Sequence, residues 1–491
     1  MPSFFILTDA PSFQKRAFNE DLTNREEIVK KTILALLLLA VAILSAQNIT
    51  GKWNGMLDVG GQKLRLAFHI EETEDGFSGS MDSPDQGAFG LEASRVVFSQ
   101  GQLDIFLDDL LLSYSGKLDG ETLLGTFHQS GMEVPLTLQR EELAAPVYER
   151  PQEPKPPFPY REEEVVFPNR KAGFELGGTL TLPDGTGPFP AAVLVSGSGP
   201  QDRNEELLGH KPFLVIADFL TRNGIAVLRY DDRGVGASGG VFSEANTFDF
   251  ALDAQSAVEF LRTCPEIGKI GIIGHSEGGV IAPIVAAQDA KLDYIILLAG
   301  TGVRGDRLLI MQQEYIFRAS NMEEEELAQT LKVNSEAFEL VIAASELETL
   351  EEDMAIFLRE RMDDGRITIP DGMTYDQLFQ MQMDSICSPW MFDFIRLDPA
   401  QWLGKTNCPV LALNGSKDLQ VPSEANLTAI GAALQRAGNK NVTLHEFPGL
   451  NHLFQEAETG LPDEYAQITQ TFAPQVLEII NDWIWDTVKG K

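Results

Sequence analysis

At 491 residues the chain is too long for one ordinary hydrophobic core, so two or more domains are expected. Hydrophobic residues at 43% and charged residues at 23% exclude a disordered chain. The formal net charge of -35 argues against nucleic acid and anionic membrane surfaces as partners and favours solubility.

The one long apolar run spans Ile33 to Leu44, with Lys30 and Lys31 before it and Ser45-Ala46-Gln47 after it. It is shorter than the about 20 residues that cross a bilayer. Basic residues, a short apolar core and small residues before Gln47 read instead as a secretory signal peptide cleaved near Ala46. Residues 1–46 are therefore an N-terminal extension plus signal, with the true start expected near Val29; an uncleaved N-terminal anchor is the alternative. The mature chain is expected to be periplasmic or extracellular, with no stable membrane span after cleavage.

Residues 47–143 have strand character. Leu64, Leu66 and Phe68 alternate with Lys63, Arg65 and Ala67, and short runs recur at Val96-Phe98 and Leu103-Phe106 between Gly, Asp and Ser clusters. The pattern predicts a small all-β domain, a barrel or a sandwich. Its opening Gly51-Lys52-Trp53 resembles the start of lipocalin-type chains, a match of only three residues. Residues 144–160 hold Pro146, Pro151, Pro154, Pro156, Pro157 and Pro159, a density that blocks helix and sheet ladders and reads as an extended linker.

From 161 to 491 the rhythm changes to alternating strands and helices. Ala191-Val195, Ile225-Leu228, Ile270-Ile273, Tyr294-Leu298 and Val410-Leu413 are nearly all apolar, as strands buried on both faces should be. Phe213-Arg222, Phe248-Arg262 and Val280-Gln288 read as helices between them, so a mostly parallel sheet with helices on both faces is expected. Residues from about 302 to 400 break the alternation with Met, Glu and apolar positions at helical spacing (Leu350, Met354, Phe357), which predicts a helical cap insertion. The Glu323-Glu326 run reads as its solvated face. Cys264, Cys387 and Cys408 form no C-x-x-C pair; one disulfide is open to an exported chain, and the odd count leaves a free thiol.

Gly274-His275-Ser276-Glu277-Gly278-Gly279 follows a buried strand and precedes a helix, the setting in which G-x-S-x-G forms a nucleophile elbow. A serine hydroxyl needs a base, and in this arrangement the chain order is Ser, acid, His. Of the two histidines after Ser276, His445 lies within a strand-like segment, Val442-Phe447, whereas His452 lies in the loop beyond it. Asp418, in Asn414-Gly415-Ser416-Lys417-Asp418 after the strand Val410-Leu413, is the expected acid, with an Asx-turn role as the structural alternative. The oxyanion donors are expected to be the amides of Glu277 and Ser198, with Gly197 as the close second. Gly234-Val235-Gly236-Ala237-Ser238-Gly239 matches G-x-G-x-x-G, but the next helix begins only near Thr247, so a nucleotide site is not expected; Tyr230-Asp231-Asp232-Arg233 reads as a structural turn. No metal-ligand spacing appears, and neither metal nor cofactor is expected.

Ser196-Gly-Ser-Gly-Pro-Gln-Asp-Arg203, Tyr230-Asp-Asp-Arg-Gly-Val-Gly-Ala-Ser238, Gly274-His-Ser-Glu-Gly-Gly279, Ser388-Pro-Trp390 and Asn414-Gly-Ser-Lys-Asp418 occur in order. Together they resemble bacterial carboxylesterases of the α/β-hydrolase fold, related to the prolyl-oligopeptidase and serine-aminopeptidase branches and often carrying an N-terminal β-rich domain. The resemblance covers roughly residues 162–490. It implies a serine esterase for short acyl chains, acting through an acyl-enzyme on a small-molecule ester with Ser276, Asp418 and His452. Trp390 and Met391 would line the acyl pocket or serve as cap core. A serine peptidase acting on small peptides, and a ligand-binding protein with a relic hydrolase domain, remain alternatives. The oligomeric state, a homo-oligomer included, is left open.

Overall fold

The computed structural model describes residues 49–490 apart from 60–61, 74–75, 85–87, 111, 130–131, 144–149 and 370–373, and the expected signal peptide lies outside these. The described residues divide into two compact units, one holding 49–57 with most of 65–143, the other 150–490 with short segments around 58–64 and 132.

Nine strands make the N-terminal sheet: β1 (Gly51–Val59), β2 (Gln62–Thr73), β3 (Gly76–Ser83), β4 (Ala88–Glu92), β5 (Arg95–Ser99), β6 (Gln102–Leu107), β7 (Leu112–Asp119), β8 (Thr122–Gln129) and β9 (Met132–Gln139). Their order is β2-β1-β9-β8-β7-β6-β5-β3-β4, and an added β2–β3 pairing closes eight of them into a ring with β4 on the outside of β3. The alternative between barrel and sandwich is thereby decided for an eight-stranded barrel. Alternation aims one side chain in two inward: Leu103, Ile105 and Leu107 on β6 and Leu112 and Tyr114 on β7 are buried. Side chains fill the interior around these residues. Tyr114 donates its hydroxyl to the Leu123 carbonyl (3.0 Å), and a Cβ on Gly116 would lie 2.3 Å from its phenol oxygen, so glycine there makes room for the ring. Trp53 is buried, donates to the Ile49 carbonyl (2.7 Å) and carries the Arg140 guanidinium 3.7 Å above its ring.

The second sheet has eight strands: β10 (Arg161–Asn169), β11 (Phe174–Leu182), β12 (Phe189–Val195), β13 (Ala226–Tyr230), β14 (Ile267–His275), β15 (Tyr294–Leu298), β16 (Val410–Gly415) and β17 (Val442–Phe447). The order is β10-β11-β13-β12-β14-β15-β16-β17. β10–β11 and β11–β13 are antiparallel and the remaining pairs parallel. This is the strand order 1-2-4-3-5-6-7-8 with the second strand, β11, alone running against the others, the α/β-hydrolase arrangement. Helices α1 (Pro212–Arg222) and α11 (Pro474–Lys489) contribute to the core on one face; α2 (Thr247–Leu261), α3 (Gly278–Gln288) and α10 (Ser423–Arg436) contribute to the other. The parallel strands are apolar throughout because both faces are covered: β13 and β15 are buried at every position.

Between β15 and β16 lie α4 (Gly305–Ala319), α5 (Glu324–Ala343), α6 (Leu347–Asp363), α7 (Tyr375–Ile386), α8 (Pro389–Phe394) and α9 (Ala400–Leu403). The insertion has its own core of Val341, Leu350, Met354, Phe357 and Leu358. The proline-rich stretch is tied down from Arg150 on: Arg150 donates to the carbonyls of Leu208, Ala466 and Ile468, and Gln152 bonds Thr471 and Phe472. Cys264, Cys387 and Cys408 are all free.

Candidate active site

The site begins at the turn from β14 into α3. Ser276 has φ 53°, a left-handed conformation rare for a residue with a side chain. Two hydrogen bonds hold it, Ser276 N–H to the Leu298 carbonyl (2.8 Å) and Gly279 N–H to the Ser276 carbonyl (2.9 Å). Sterics make the motif obligatory. A Cβ on Gly274 would meet the Gly278 carbonyl at 2.0 Å, one on Gly278 the Val195 carbonyl at 2.2 Å, and one on Gly279 the Gly300 Cα at 2.5 Å. Strained backbone of this kind marks sites where a side chain must be aimed rather than packed.

Asp418 and His452 arrive from loops after β16 and β17. His452 Nδ1 lies 2.8 Å from Asp418 Oδ2, with both side chains buried. Asp418 Oδ1 accepts from the amides of Gln420 (2.9 Å) and Val421 (2.8 Å), which fixes the carboxylate plane. The Asx-turn role and the histidine contact thus coexist in one residue. His452 Nε2 has no hydrogen-bond partner among the described residues. The His452 loop is braced by Asn451, whose side chain accepts from the Leu453 and Gln455 amides. It sits so close to β16 that a Cβ on Gly415 would meet the Leu450 carbonyl at 2.1 Å. His275, beside Ser276, brings the loop to the turn: its Nε2 donates to the His452 carbonyl (3.0 Å), and the two rings are 4.8 Å apart.

The loop after β12 passes on the other side of Ser276, where a Cβ on Gly197 would lie 3.1 Å from the Ser276 Cβ. Carboxylates pin it. Ser196 Oγ and the Gln201 amide bond Asp232, and the Arg203 amide bonds Asp231. The Gly197 amide is 2.8 Å from Glu205 Oε1. This corrects the expectation for Gly197, whose N–H is engaged inside the protein and is not free for a ligand. The amides of Ser198 and Glu277 donate to no group among the described residues.

One cleft joins Ser198, Ser276 and Glu277 to Leu308, Trp390, Phe394 and Val421. Trp390 stacks on Phe394 (4.7 Å, 18°) and donates its indole N–H to Glu277 Oε1 (2.8 Å). The Thr247 hydroxyl donates to the same oxygen (2.6 Å). Burial pushes the Glu277 carboxyl above its ordinary range, and these two bonds only partly offset it. Met391, paired with Trp390 in the sequence reading, turns instead into the core of the helical insertion, because successive positions on α8 point to different sides.

Residues 234–239 form a closed turn rather than a nucleotide loop. Gly234 N–H bonds the Gly239 carbonyl, Ala237 N–H bonds Asp231 Oδ2, and α2 starts only at Thr247. Asp231, Asp232 and Arg233 all bond loop backbone or buried side chains, the structural role expected of them. Glu205 was not visible as a site residue. It lies in no motif, and its importance comes from a left-handed backbone (φ 52°) that turns its side chain under the Gly197 loop.

Residues 212–354 match the hydrolase family described as Serine aminopeptidase, S33. The chain is 28% identical over 294 residues to Esterase EstD of Thermotoga maritima, covering 59% of this chain and 61% of that protein's length. Among solved structures, Est1E from Butyrivibrio proteoclasticus bound to ferulic acid matches 66% of this chain and 99% of its own (17% identity, TM-score 0.38). The Pyrococcus furiosus esterase Pf2001 matches 71% and 96% (14% identity, TM-score 0.41). On its strand order the C-terminal unit has the α/β-hydrolase fold, and the chain is similar to a bacterial esterase and, over residues 212–354, to the serine aminopeptidase family.

Proposed function

We propose that this protein is a serine carboxylesterase that hydrolyses short-chain acyl esters through an acyl-enzyme. The observation carrying this reading is that two unengaged amides, Ser198 and Glu277, share one cleft with Ser276 while His452 is oriented by Asp418. His452 takes the Ser276 proton as the hydroxyl attacks the ester carbonyl, and Asp418 stabilises the imidazolium that forms. The two amides receive the oxyanion, the alcohol leaves with the proton from His452, and water activated by His452 releases the acid.

The helical insertion serves as a cap. It supplies Leu308, Trp390 and Phe394 to the cleft, walls suited to a short apolar acyl group. An ester is favoured over a free peptide by the cleft's electrostatics. Among the described residues its lining holds a single carboxylate, Glu277, already bonded by Thr247 and Trp390, so none of them offers a free anion to an α-ammonium. Nor does a cationic side chain among the described residues line the cleft, which favours uncharged acyl groups. We further propose export of the mature chain, on the signal-like residues 30–46.

The test is hydrolysis of p-nitrophenyl acetate, butyrate and octanoate by the purified protein beside Ser276→Ala. Turnover of the short esters should fall by a factor on the order of 10⁴ or more in the variant. Turnover that survives Ser276→Ala would remove Ser276 from the mechanism; no turnover of any ester would turn attention to peptides.

A further inference from the structure

Behind Ser276 lies a second histidine–carboxylate contact that the reaction above does not use. His275 Nδ1 is 2.8 Å from Glu205 Oε1, and both side chains are 7% exposed. They are enclosed by Phe213, Leu298, Leu453 and Phe472. Each partner holds one further backbone group. Glu205 Oε1 accepts from the Gly197 amide (2.8 Å), and His275 Nε2 meets the His452 carbonyl (3.0 Å).

Proton counting sets the charge state. A carbonyl oxygen can only accept, so Nε2 must carry a proton. Glu205 Oε1 already receives the Gly197 N–H, and as a carboxylate oxygen it accepts from Nδ1 as well. With protons on both nitrogens, His275 is an imidazolium against a carboxylate, and every contact is satisfied. Burial alone would lower the His275 pKa; the Glu205 charge and hydrogen bond, the His452 carbonyl and the nearby Asp418 outweigh it, and the net shift is upward. The left-handed backbone of Glu205 is a second, independent sign that its placement is imposed rather than incidental.

We propose that Glu205 and His275 are a positioning pair that fixes the oxyanion loop through the Gly197 amide and the base loop through the His452 carbonyl, on either side of Ser276. With Gly197 N–H turned inward to Glu205, the next amide, that of Ser198, is the one left facing the cleft. With the His452 carbonyl held by His275, the imidazole of His452 keeps its distance from the turn. The pair touches no substrate; it sets two parts of the apparatus at once. The inference rests on the esterase reading for its kinetic consequence, but not for its protonation state.

Glu205→Gln is the informative variant, because it keeps the size and removes the charge. A neutral His275 has one N–H to share between the amide oxygen and the His452 carbonyl, so one link must fail. We expect kcat on p-nitrophenyl butyrate to fall about tenfold to a hundredfold with KM within about threefold, while the protein stays folded. A kcat within twofold of the parent overturns the proposal. Should the variant fail to fold, the parent protein still decides the matter. In ¹⁵N-histidine spectra at pH 7, assigned by the loss of one ring in His275→Asn, His275 should show protons on both nitrogens. A single protonated nitrogen overturns the pair. The spectra need no substrate, so a parent protein without esterase activity would sink the proposed function and leave this readout standing.

Discussion

The indole of Trp390 reaches across from the inserted helix α8 to donate to Glu277, the residue directly after Ser276. One side chain thereby ties the inserted helices to the turn and lines the cleft. Trp390→Phe keeps the stacking on Phe394 but removes the donor, leaving Glu277 only the Thr247 hydroxyl. We expect a loss of about 1–2 kcal/mol in unfolding free energy. We also expect kcat/KM to fall several-fold more for the butyrate ester than for the acetate. Equal losses on both esters would mean that Trp390 does not line the acyl pocket.

Asp418→Asn should separate geometry from charge. The amides of Gln420 and Val421 both donate to Oδ1, so the asparagine oxygen must stay there and its NH₂ must face His452. That donor forces His452 Nδ1 to accept and puts the proton on Nε2, the wrong tautomer for a base. We expect kcat to fall on the order of 10³–10⁴ with little change in KM or unfolding temperature. Retention of a tenth of the activity would argue against the assigned tautomer.

His210 predicts an acid-side loss of stability. It is fully buried, with Nε2 donating to the Tyr465 carbonyl (3.0 Å) and Nδ1 3.1 Å from the Thr471 hydroxyl, a neutral tautomer with both nitrogens satisfied. Burial lowers its pKa to about 4, which the Tyr465 carbonyl opposes and the Arg150 charge reinforces. Since the folded value lies below the unfolded one near 6.5, its contribution is present in full above about pH 6.5. It is lost as pH falls from there toward 4, amounting to about 3 kcal/mol in all. Denaturant unfolding between pH 7 and 4 should show this slope, and His210→Gln should flatten it. An unchanged slope in the variant would place the titration elsewhere.

His275 carries the opposite sign. Its folded pKa is raised, so its contribution is complete below about pH 6.5 and is lost as pH rises through the folded value. Unfolding free energy measured from pH 6 upward should fall in the parent and fall less in Glu205→Gln, where the charge that raises the pKa is gone. Parallel curves would count against an ion pair at this position.

Local chemistry explains what was legible from residues alone. The turn at Ser276 is written in glycines that no other residue can replace, and both strands and helices around it follow from apolar runs buried on two faces. Asp418 and His452 are legible because each sits just past the end of a strand, and strand ends in a parallel sheet converge on one edge. The alternating strands of 51–139 announce a β-domain for the same local reason, since pleating has a period of two.

What depends on distant partners was not legible. Ring closure of the barrel rests on the β2–β3 pairing joining an open order into a circle, which alternation within any one strand does not encode. Trp390 and Met391 are equally apolar neighbours, and only the rotation of α8 against the turn sends one to the cleft and the other to the core of the inserted helices. The Gly197 amide is engaged by Glu205, eight residues from Gly197 and outside every motif. The sequence by itself determined the glycine-built turn at Ser276 and the placing of Asp418 and His452 just past strand ends, because those demands are local and steric. Tertiary structure alone decided which backbone amides stay free, because a hydrogen-bond donor is available only when nothing folded beside it has already accepted its proton.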